Sequence, residues 1–338
     1  MAKLFVAFIC LFFPLHAAPI PEKILICGVC KNVEKAIPNT IQSATKLGEQ
    51  FSDYRVIIYE NNSTDSTKEL FQAWAKENPR VVFLSEDLSK KRLAKQLKMK
   101  VRTEAIARAR NKVLDIVFQN RFDDFQYVIW ADLDFLDPWD IENILDTILH
   151  PEQEWDAVLA NGAYDLFAFR DPEFPIGFEL LGEKYWQNLD KMRAKLSLDR
   201  KDPWRKVYSA FGGLGIYKRD AMKGSRYCGV VTKDLEKAVL VWLENASGTC
   251  FWEQYQQLLA SAPVIELREE RLSKRKRLPD ALGLRLHNRF GLGKITWFSC
   301  TPRKTLPWTC EHVTFHASMA AHGYDKIFLN PHLRSNHP

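Results

Sequence analysis

The sequence predicts an α/β protein with a mostly parallel sheet flanked by helices. Three observations carry that expectation. Short apolar runs alternate with helical stretches four times within the first 160 residues, the pattern of a parallel sheet covered on both faces. Polar clusters stand just past the carboxyl ends of those runs, where open sheets of this kind bind ligands. The chain has 338 residues, 46% hydrophobic and 27% charged, which is a folding composition long enough for one large α/β domain or two ordinary ones.

Each element follows in order. Ile24-Leu25-Ile26-Cys27-Gly28-Val29 is an apolar run fit for a buried strand, and residues 34–50 have a helical pattern. Residues 55–60 form a second buried strand. It ends in Asn61-Asn62-Ser63-Thr64-Asp65-Ser66-Thr67, a polar turn that also caps a helix over 68–76. Residues 81–84 are a third strand, 90–112 a basic helix and 127–131 a fourth strand ending at Asp132-Leu133-Asp134. Pro138 fits the start of a helix reaching about residue 150, and 155–160 is a further strand. The second half is less regular. Phe211-Gly212-Gly213-Leu214-Gly215 reads as a loop entering a strand, 269–277 as a solvated helix or loop, 311–322 as a helix and 326–329 as a last strand.

The first 18 residues stand apart. Lys3 precedes an apolar run from Leu4 to Leu15, followed by His16-Ala17-Ala18. This reads as a signal peptide, with a short uncleaved anchor as the second reading. It places the chain in an exported or secretory compartment and confines any membrane contact to this segment. Residues 19–160 and 161–338 are then two halves of one domain. Six cysteines remain beyond Cys10, too few for a disulfide scaffold; Cys300–Cys310 is the expected local pair. A net charge of +6 without a concentrated basic stretch does not describe a nucleic-acid binder. Sequons occur at Asn61, Asn62 and Asn245.

The residues able to carry chemistry cluster at strand ends. Asp132 and Asp134 are two carboxylates at i and i+2 past a buried strand. They offer hard oxygens to Mg²⁺ or Mn²⁺, which share coordination with phosphate oxygens; the same tripeptide also suits an ordinary polar strand end. Glu60 ends an otherwise apolar strand and Asp65 follows in the turn, positioned to bind a ribose or base, or simply to shape the turn. Arg102, Arg108, Arg110 and Asn111 share one basic helix, whose guanidinium groups suit a diphosphate or a solvated face.

Taken together, these segments resemble the nucleotide-sugar-dependent glycosyltransferases of the GT-A fold. The resemblance runs through Cys27-Gly28-Val29-Cys30-Lys31-Asn32, Tyr59 to Thr67, Ala109-Arg110-Asn111 and Trp130-Ala131-Asp132-Leu133-Asp134. It continues through Phe211 to Tyr217 and through Cys310-Glu311-His312 with Gly323-Tyr324 and Asn330-Pro331. Within that group the chain is similar to the fungal (cryptococcal) CAP59-type α-mannosyltransferases at Tyr59-Glu60, Ser63, Asp65, Arg102 to Asn111, Tyr164-Asp165 and Arg170-Asp171. The resemblance implies a Rossmann-like GT-A sheet completed by the less regular second half. It also implies a nucleotide-sugar donor (GDP-mannose or a UDP-sugar) and a glycan or glycoconjugate acceptor. Asn32, Glu60, Asp65, Arg110, Asp132, Gly212 and Gly213 would hold the donor. Asp132, Asp134 and His337 would hold Mn²⁺ or Mg²⁺, with His332 as the competing imidazole, and Glu311 would face the acceptor hydroxyl.

Other readings use the same residues differently. Cys27-Gly28-Val29-Cys30 has the spacing of a thiol–disulfide oxidoreductase. A carbohydrate-binding or inactive protein on the same fold would use surface tryptophans such as Trp155, Trp186 and Trp308 as stacking platforms. A nucleotidyltransferase also pairs carboxylates with Mg²⁺, but it wants a Gly-rich phosphate loop, for which Gly28 alone is a poor substitute.

Overall fold

The computed structural model describes residues 18–88, 99–162, 165–181, 185–186, 189–196, 198–199, 201–246, 266–270, 295–299 and 308–334. The proposed leader, Cys300 and His337 lie outside them. Among the described residues no helix is long and apolar enough to cross a membrane.

The first half is a run of strand–helix units. It comprises β1 (Ile20–Cys30), α1 (Ile37–Gly48), β2 (Phe51–Asn61), α2 (Thr67–Glu77), β3 (Val81–Glu86), α3 (Met99–Val117), β4 (Tyr127–Ala131), α4 (Ile141–Leu149) and β5 (Ala157–Ala160). Then follow the short helices α5 (Phe178–Leu181) and α6 (Leu189–Leu196), β6 (Arg205–Lys206), β7 (Leu214–Lys218) and α7 (Lys233–Ala246). The chain closes with β8 (Glu266–Glu270), β9 (Ile295–Ser299), α8 (Glu311–Ala321) and β10 (Ile327–Asn330). Eight strands form one sheet in the order β3-β2-β1-β4-β7-β5-β10-β6, and β8 pairs with β9 separately.

The sheet is mixed rather than parallel throughout. β3, β2, β1 and β4 run parallel, but β7 lies antiparallel between β4 and β5. The second half of the chain thus supplies strands to the middle and one edge of the sheet, and the two halves share one core. The strands alternate as their sequences require. Leu25 and Cys27 of β1 face one apolar layer with Val128 and Trp130 of β4. Ile24 and Ile26 face the other with Ile129 and Ala131. Val113 and Val117 of α3 and Phe315 of α8 cover the first face; Leu47 of α1, Phe71 of α2 and Ile144 of α4 cover the second. A sheet buried on both faces needs near-continuous apolar strands, which is why β1, β2 and β4 were readable.

Several boundaries differ from expectation. Residues 34–36 form a 3-10 turn before α1, and α4 begins after Pro138, with the Asp140 carboxylate accepting from the Asn143 N–H as its cap. Residues 266–270 are a strand, which overlaps at 269–270 the stretch expected to be a solvated helix or loop; the rest of that stretch lies outside the described residues. Helix α7 carries the buried stripe Leu235, Val239, Trp242 and Ala246, a helical period that the sequence reading passed over. Cys310 is a buried free thiol; Cys300, its expected partner, lies outside the described residues.

Candidate active site

Strands β1 and β4 deliver their carboxyl ends to one cavity of about 830 Å³. Lys31 follows β1, and Asp132, Leu133 and Asp134 follow β4; all four line it. The acidic pair is set by apolar packing between its members. Asp134 is exposed, Asp132 half-buried and Leu133 buried. Leu133 lies over Gly28, where an added Cβ would come within 2.5–2.7 Å of the leucine side chain. Only glycine leaves Leu133 its place between the two aspartates. The Asp132 N–H donates to the Gly213 carbonyl at 2.8 Å. Gly212 and Gly213 both have positive φ, 61° and 81°, and an added Cβ at Gly212 would lie 2.2 Å from the Ala160 carbonyl oxygen. These glycines therefore shape the site through the backbone of Asp132 and are not among the cavity's lining residues.

The turn after β2 acts in the same indirect way. Glu60 is fully buried; its carboxylate accepts from the Ser63 N–H and from the Ser85 hydroxyl, each at 2.6 Å. Asn32 sits at φ 56° and accepts from the Thr64 N–H at 2.7 Å, while its own N–H donates to Ser63. Asp65 accepts from the Glu34 and Thr67 N–H groups. Burial raises the Asp65 pKa, but the hydrogen bonds from Thr67 and Glu34 win, so it lies below the usual carboxylate range. Asn32, Glu60 and Asp65 thus bind the β1 and β2 loops to each other and do not line the cavity. Each oxygen of the Glu60 carboxylate thus holds a group close by in the fold, one in its own turn and one on β3. Asn61 does line the cavity, whereas the Asn62 carboxamide is spent on both backbone groups of Leu88.

Helix α3 brings in the basic residues, and they diverge. Arg102 is exposed and lines the cavity. Arg108 turns away to Glu86 at 3.4 Å. Asn111 holds both the N–H and the carbonyl of Tyr227. Arg110 is 4% exposed and stands between two carboxylates, with Nη2 3.5 Å from Asp132 and Nε 3.4 Å from Glu311. Trp130, Phe211 and Tyr227 surround its guanidinium at 4.8–5.7 Å from their ring centres. Burial alone would lower its pKa, but Glu311 and Asp132 raise it above the ordinary arginine value.

The opposite end of the site comes from segments far apart in sequence. Asp165, Phe167 and Trp186 approach from the β5 side, and Cys310, Glu311 and His312 from the start of α8. Thr309, just before α8, donates its hydroxyl to Glu179 and its N–H to Gly229. Glu179 in turn is paired with Arg170 at 2.7 Å, both fully buried. Burial first, then the nearby Glu311 and Asp132, raise the Asp165 pKa to about 7 against the pull of Arg110. His312 is 1% exposed, stacks on Phe211 at 3.9 Å between ring centres, and has no hydrogen-bond partner on either ring nitrogen. Burial, then Arg110, hold it well below the usual histidine pKa, so it is a neutral ring. Arg110 Nη1, the Trp130 indole N–H and the Tyr227 hydroxyl are also buried without partners. The sequence reading assigned no role to His312, Phe167 or Tyr227, because nothing local marks them; only the fold brings them to Glu311.

Asp132 and Asp134 fit a hard divalent cation. Mg²⁺ and Mn²⁺ accept one or two protein carboxylates and complete their shell with phosphate oxygens and water. Among the described residues no group of three or more His, Cys, Asp and Glu is placed to hold a metal ion. The cysteine reading fails on geometry. Cys27 and Cys30 lie within β1 on opposite faces of the sheet, both are free, and burial raises both thiol pKa values.

An α/β sheet with this mixed order, and a strand-end cavity carrying paired carboxylates, is the GT-A type of architecture. The family described as "Glycosyl transferase family 2" matches residues 26–220, and the chain belongs to it. No curated protein sequence matches the chain. Among solved structures, the chain is similar to the mannosyltransferase PcManGT from Pyrobaculum calidifontis in complex with GDP-Man and Mn²⁺. That match has 16% identity and TM-score 0.33, covering 63% of this chain and 50% of that one. It is also similar to S. aureus TarS 1-349 at 14% identity and TM-score 0.34, covering 67% and 55%. Glucosyl-3-phosphoglycerate synthase from Mycobacterium tuberculosis, solved with Mn²⁺, UDP and phosphoglyceric acid, matches at 13% identity and TM-score 0.33, covering 62% and 59%. The chain thus spans between half and three fifths of the length of these structures.

Proposed function

We propose that the protein moves a sugar from a nucleotide-sugar donor to a hydroxyl of a glycan or glycoconjugate, using a divalent cation. The observation that carries this reading is the arrangement around Arg110. One cavity has Asp132 and Asp134 on one side of that guanidinium and Glu311 on the other. A transfer site needs this separation: one end holds the leaving diphosphate and the other receives the attacking hydroxyl.

Asp132 and Asp134 would hold Mn²⁺ or Mg²⁺, which when bound neutralises charge on a departing diphosphate. Lys31 and Arg102 line the same cavity and add positive charge for the phosphates. Arg110 fixes Glu311 through Oε1. Glu311 meets the acceptor hydroxyl, orienting it and, in an inverting reaction, taking its proton at a carboxylate oxygen. His337 remains the third metal ligand in this proposal.

The likeness to the CAP59-type α-mannosyltransferases puts GDP-mannose at the head of the donor panel. Part of that likeness serves the scaffold, since Arg170 and Asp171 are both fully buried and pair with Glu179 and Arg205. The test is release of nucleoside diphosphate from GDP-mannose and a set of UDP-sugars, with and without Mn²⁺. At least one donor is expected to turn over in the wild type, and Asp134→Ala is expected to abolish it without loss of fold. Equal turnover by that variant would remove the metal assignment.

A further inference from the structure

The Glu311 side of the cavity carries an aromatic wall whose construction is unexplained by donor binding. Trp186 is 36% exposed and lines the cavity with Phe167. It is the open face of a packed cluster. Phe167 stacks on it at 6.2 Å and 17°, and Tyr185 meets it edge-on at 5.2 Å and 70°. Phe178 lies 5.7 Å away, and Trp308 backs both Phe178 and Phe167 at 4.1 and 5.3 Å. The Tyr185 hydroxyl donates to the Leu166 carbonyl at 2.6 Å, which fixes the ring behind Trp186. The indole is thus held at a set angle while one face stays open to the cavity.

We propose that Trp186 and Phe167 form the acceptor subsite and that the acceptor group seated there is a pyranose ring. The word acceptor rests on the transferase reading; the pyranose does not. A pyranose has a face of C–H bonds and an edge of hydroxyls. The C–H face suits the negative face of an aromatic ring, and the edge needs hydrogen-bond partners.

Both requirements meet in this wall. Asp165 follows β5 two residues before Phe167, and Glu311 and His312 begin α8 three and four residues after Trp308; all three line the same cavity. The two carboxylates accept hydroxyl protons. The His312 nitrogens and Arg110 Nη1 are more than nine-tenths buried and have no partner. A buried unpaired polar atom is costly, so a small opening of this wall toward a polyol edge gains hydrogen bonds that one toward a flat apolar ligand does not. A nucleobase would also stack on Trp186, but it would leave these carboxylates and nitrogens without a hydroxyl-rich partner.

The test uses the full chain without donor. Methyl pyranosides and their di- and trisaccharides are titrated by saturation-transfer NMR, beside open-chain polyols and free nucleosides. The expected result is saturable binding of a pyranoside with transfer concentrated on the C–H protons of one ring face. Trp186→Ala is expected to weaken it by about tenfold or more, the size of a lost stacking contact, with recovery in Trp186→Phe. Phe167→Leu gives a second, independent perturbation of the same wall, and thermal melting confirms that each variant folds. Equal sugar affinity in Trp186→Ala would overturn the proposal. So would binding of nucleosides in place of sugars, equal binding of open-chain polyols, or no sugar binding by the wild type. Nucleoside diphosphate binding with Mn²⁺ is measured separately. Its absence beside intact sugar binding would sink the transferase reading and leave the pyranose site standing.

Discussion

The two ends of the cavity are built by different means. At the Asp132–Asp134 end, Lys31 and the two aspartates follow strands of the parallel half, Arg102 comes from α3, and the supports are backbone and apolar contacts. Leu133 rests on Gly28, and the β1 and β2 loops are laced by short hydrogen bonds through Asn32, Glu60 and Asp65. At the Glu311 end, Asp165, Trp186 and Glu311 come from three segments, joined by a fully buried Arg170–Glu179 pair that also takes the Thr309 hydroxyl. The first end exposes Asp134 and satisfies the buried Glu60 of its turn; the second leaves both His312 ring nitrogens and the Tyr227 hydroxyl buried without partners. Satisfied turns suit a site whose ligand brings its own charge, whereas unsatisfied buried groups suit a ligand that brings hydroxyls.

The comparison breaks most sharply at Glu311. Glu311→Gln is expected to cut transfer by about 10²–10⁴-fold, the usual range for a proton-handling group, while nucleoside diphosphate still binds at the other end. Parallel loss of nucleotide binding, read by calorimetry, would show that the two ends are not separable.

The buried pair comes next. Arg170→Met leaves Glu179 charged and enclosed, and such a break costs about 3–5 kcal/mol, read as a fall in the denaturant midpoint. Gly28→Val tests the other end's apolar support. It overpacks Leu133 at a cost of about 1–3 kcal/mol, and metal-dependent turnover should fall further than stability does. A Gly28→Val variant with wild-type turnover would show that the aspartates do not depend on this contact.

Glu104 sharpens the comparison through pH. It is buried at the start of α3 and accepts from the Gly229 N–H at 2.8 Å. Burial is the main cause raising its pKa to about 7, with Glu311 adding to it. The fold therefore favours protonated Glu104, and that stabilisation is full below about pH 4.5 and lost as pH rises through about 7. Glu104→Gln should melt increasingly above the wild type between pH 5 and pH 8, by on the order of 1 kcal/mol. A gap that does not change with pH would contradict this. The smallest effect is expected at Cys27, a buried thiol that does not line the cavity. Cys27→Ala should keep turnover within about twofold, since small changes away from a site do little.

The same contrast explains what the sequence disclosed. β1, β2 and β4 were legible because strands buried on both faces are continuous apolar runs, and Asp132 and Asp134 stand out where such a run stops. The capture of Glu60 by Ser85 is not legible in the sequence, because it depends on the register between β2 and β3. The Gly213 carbonyl reaches the backbone of Asp132 because β7 lies antiparallel beside β4. No local pattern announces that strand's place in the sheet. The Glu311 end was legible only where the family resemblance reached it. Trp186 was noted as one stacking candidate among several tryptophans, and only the ring packing around it distinguishes it from Trp155, which is buried.

The central claim is that Asp132 and Asp134 hold a cation on which a nucleotide diphosphate is gripped. Calorimetric titration of GDP and UDP tests it most directly, with Mn²⁺ present or chelated, for the wild type and Asp134→Asn. The account predicts that one nucleotide binds the wild type only with Mn²⁺ and fails to bind the variant. Tight binding that ignores both the cation and the substitution would contradict it.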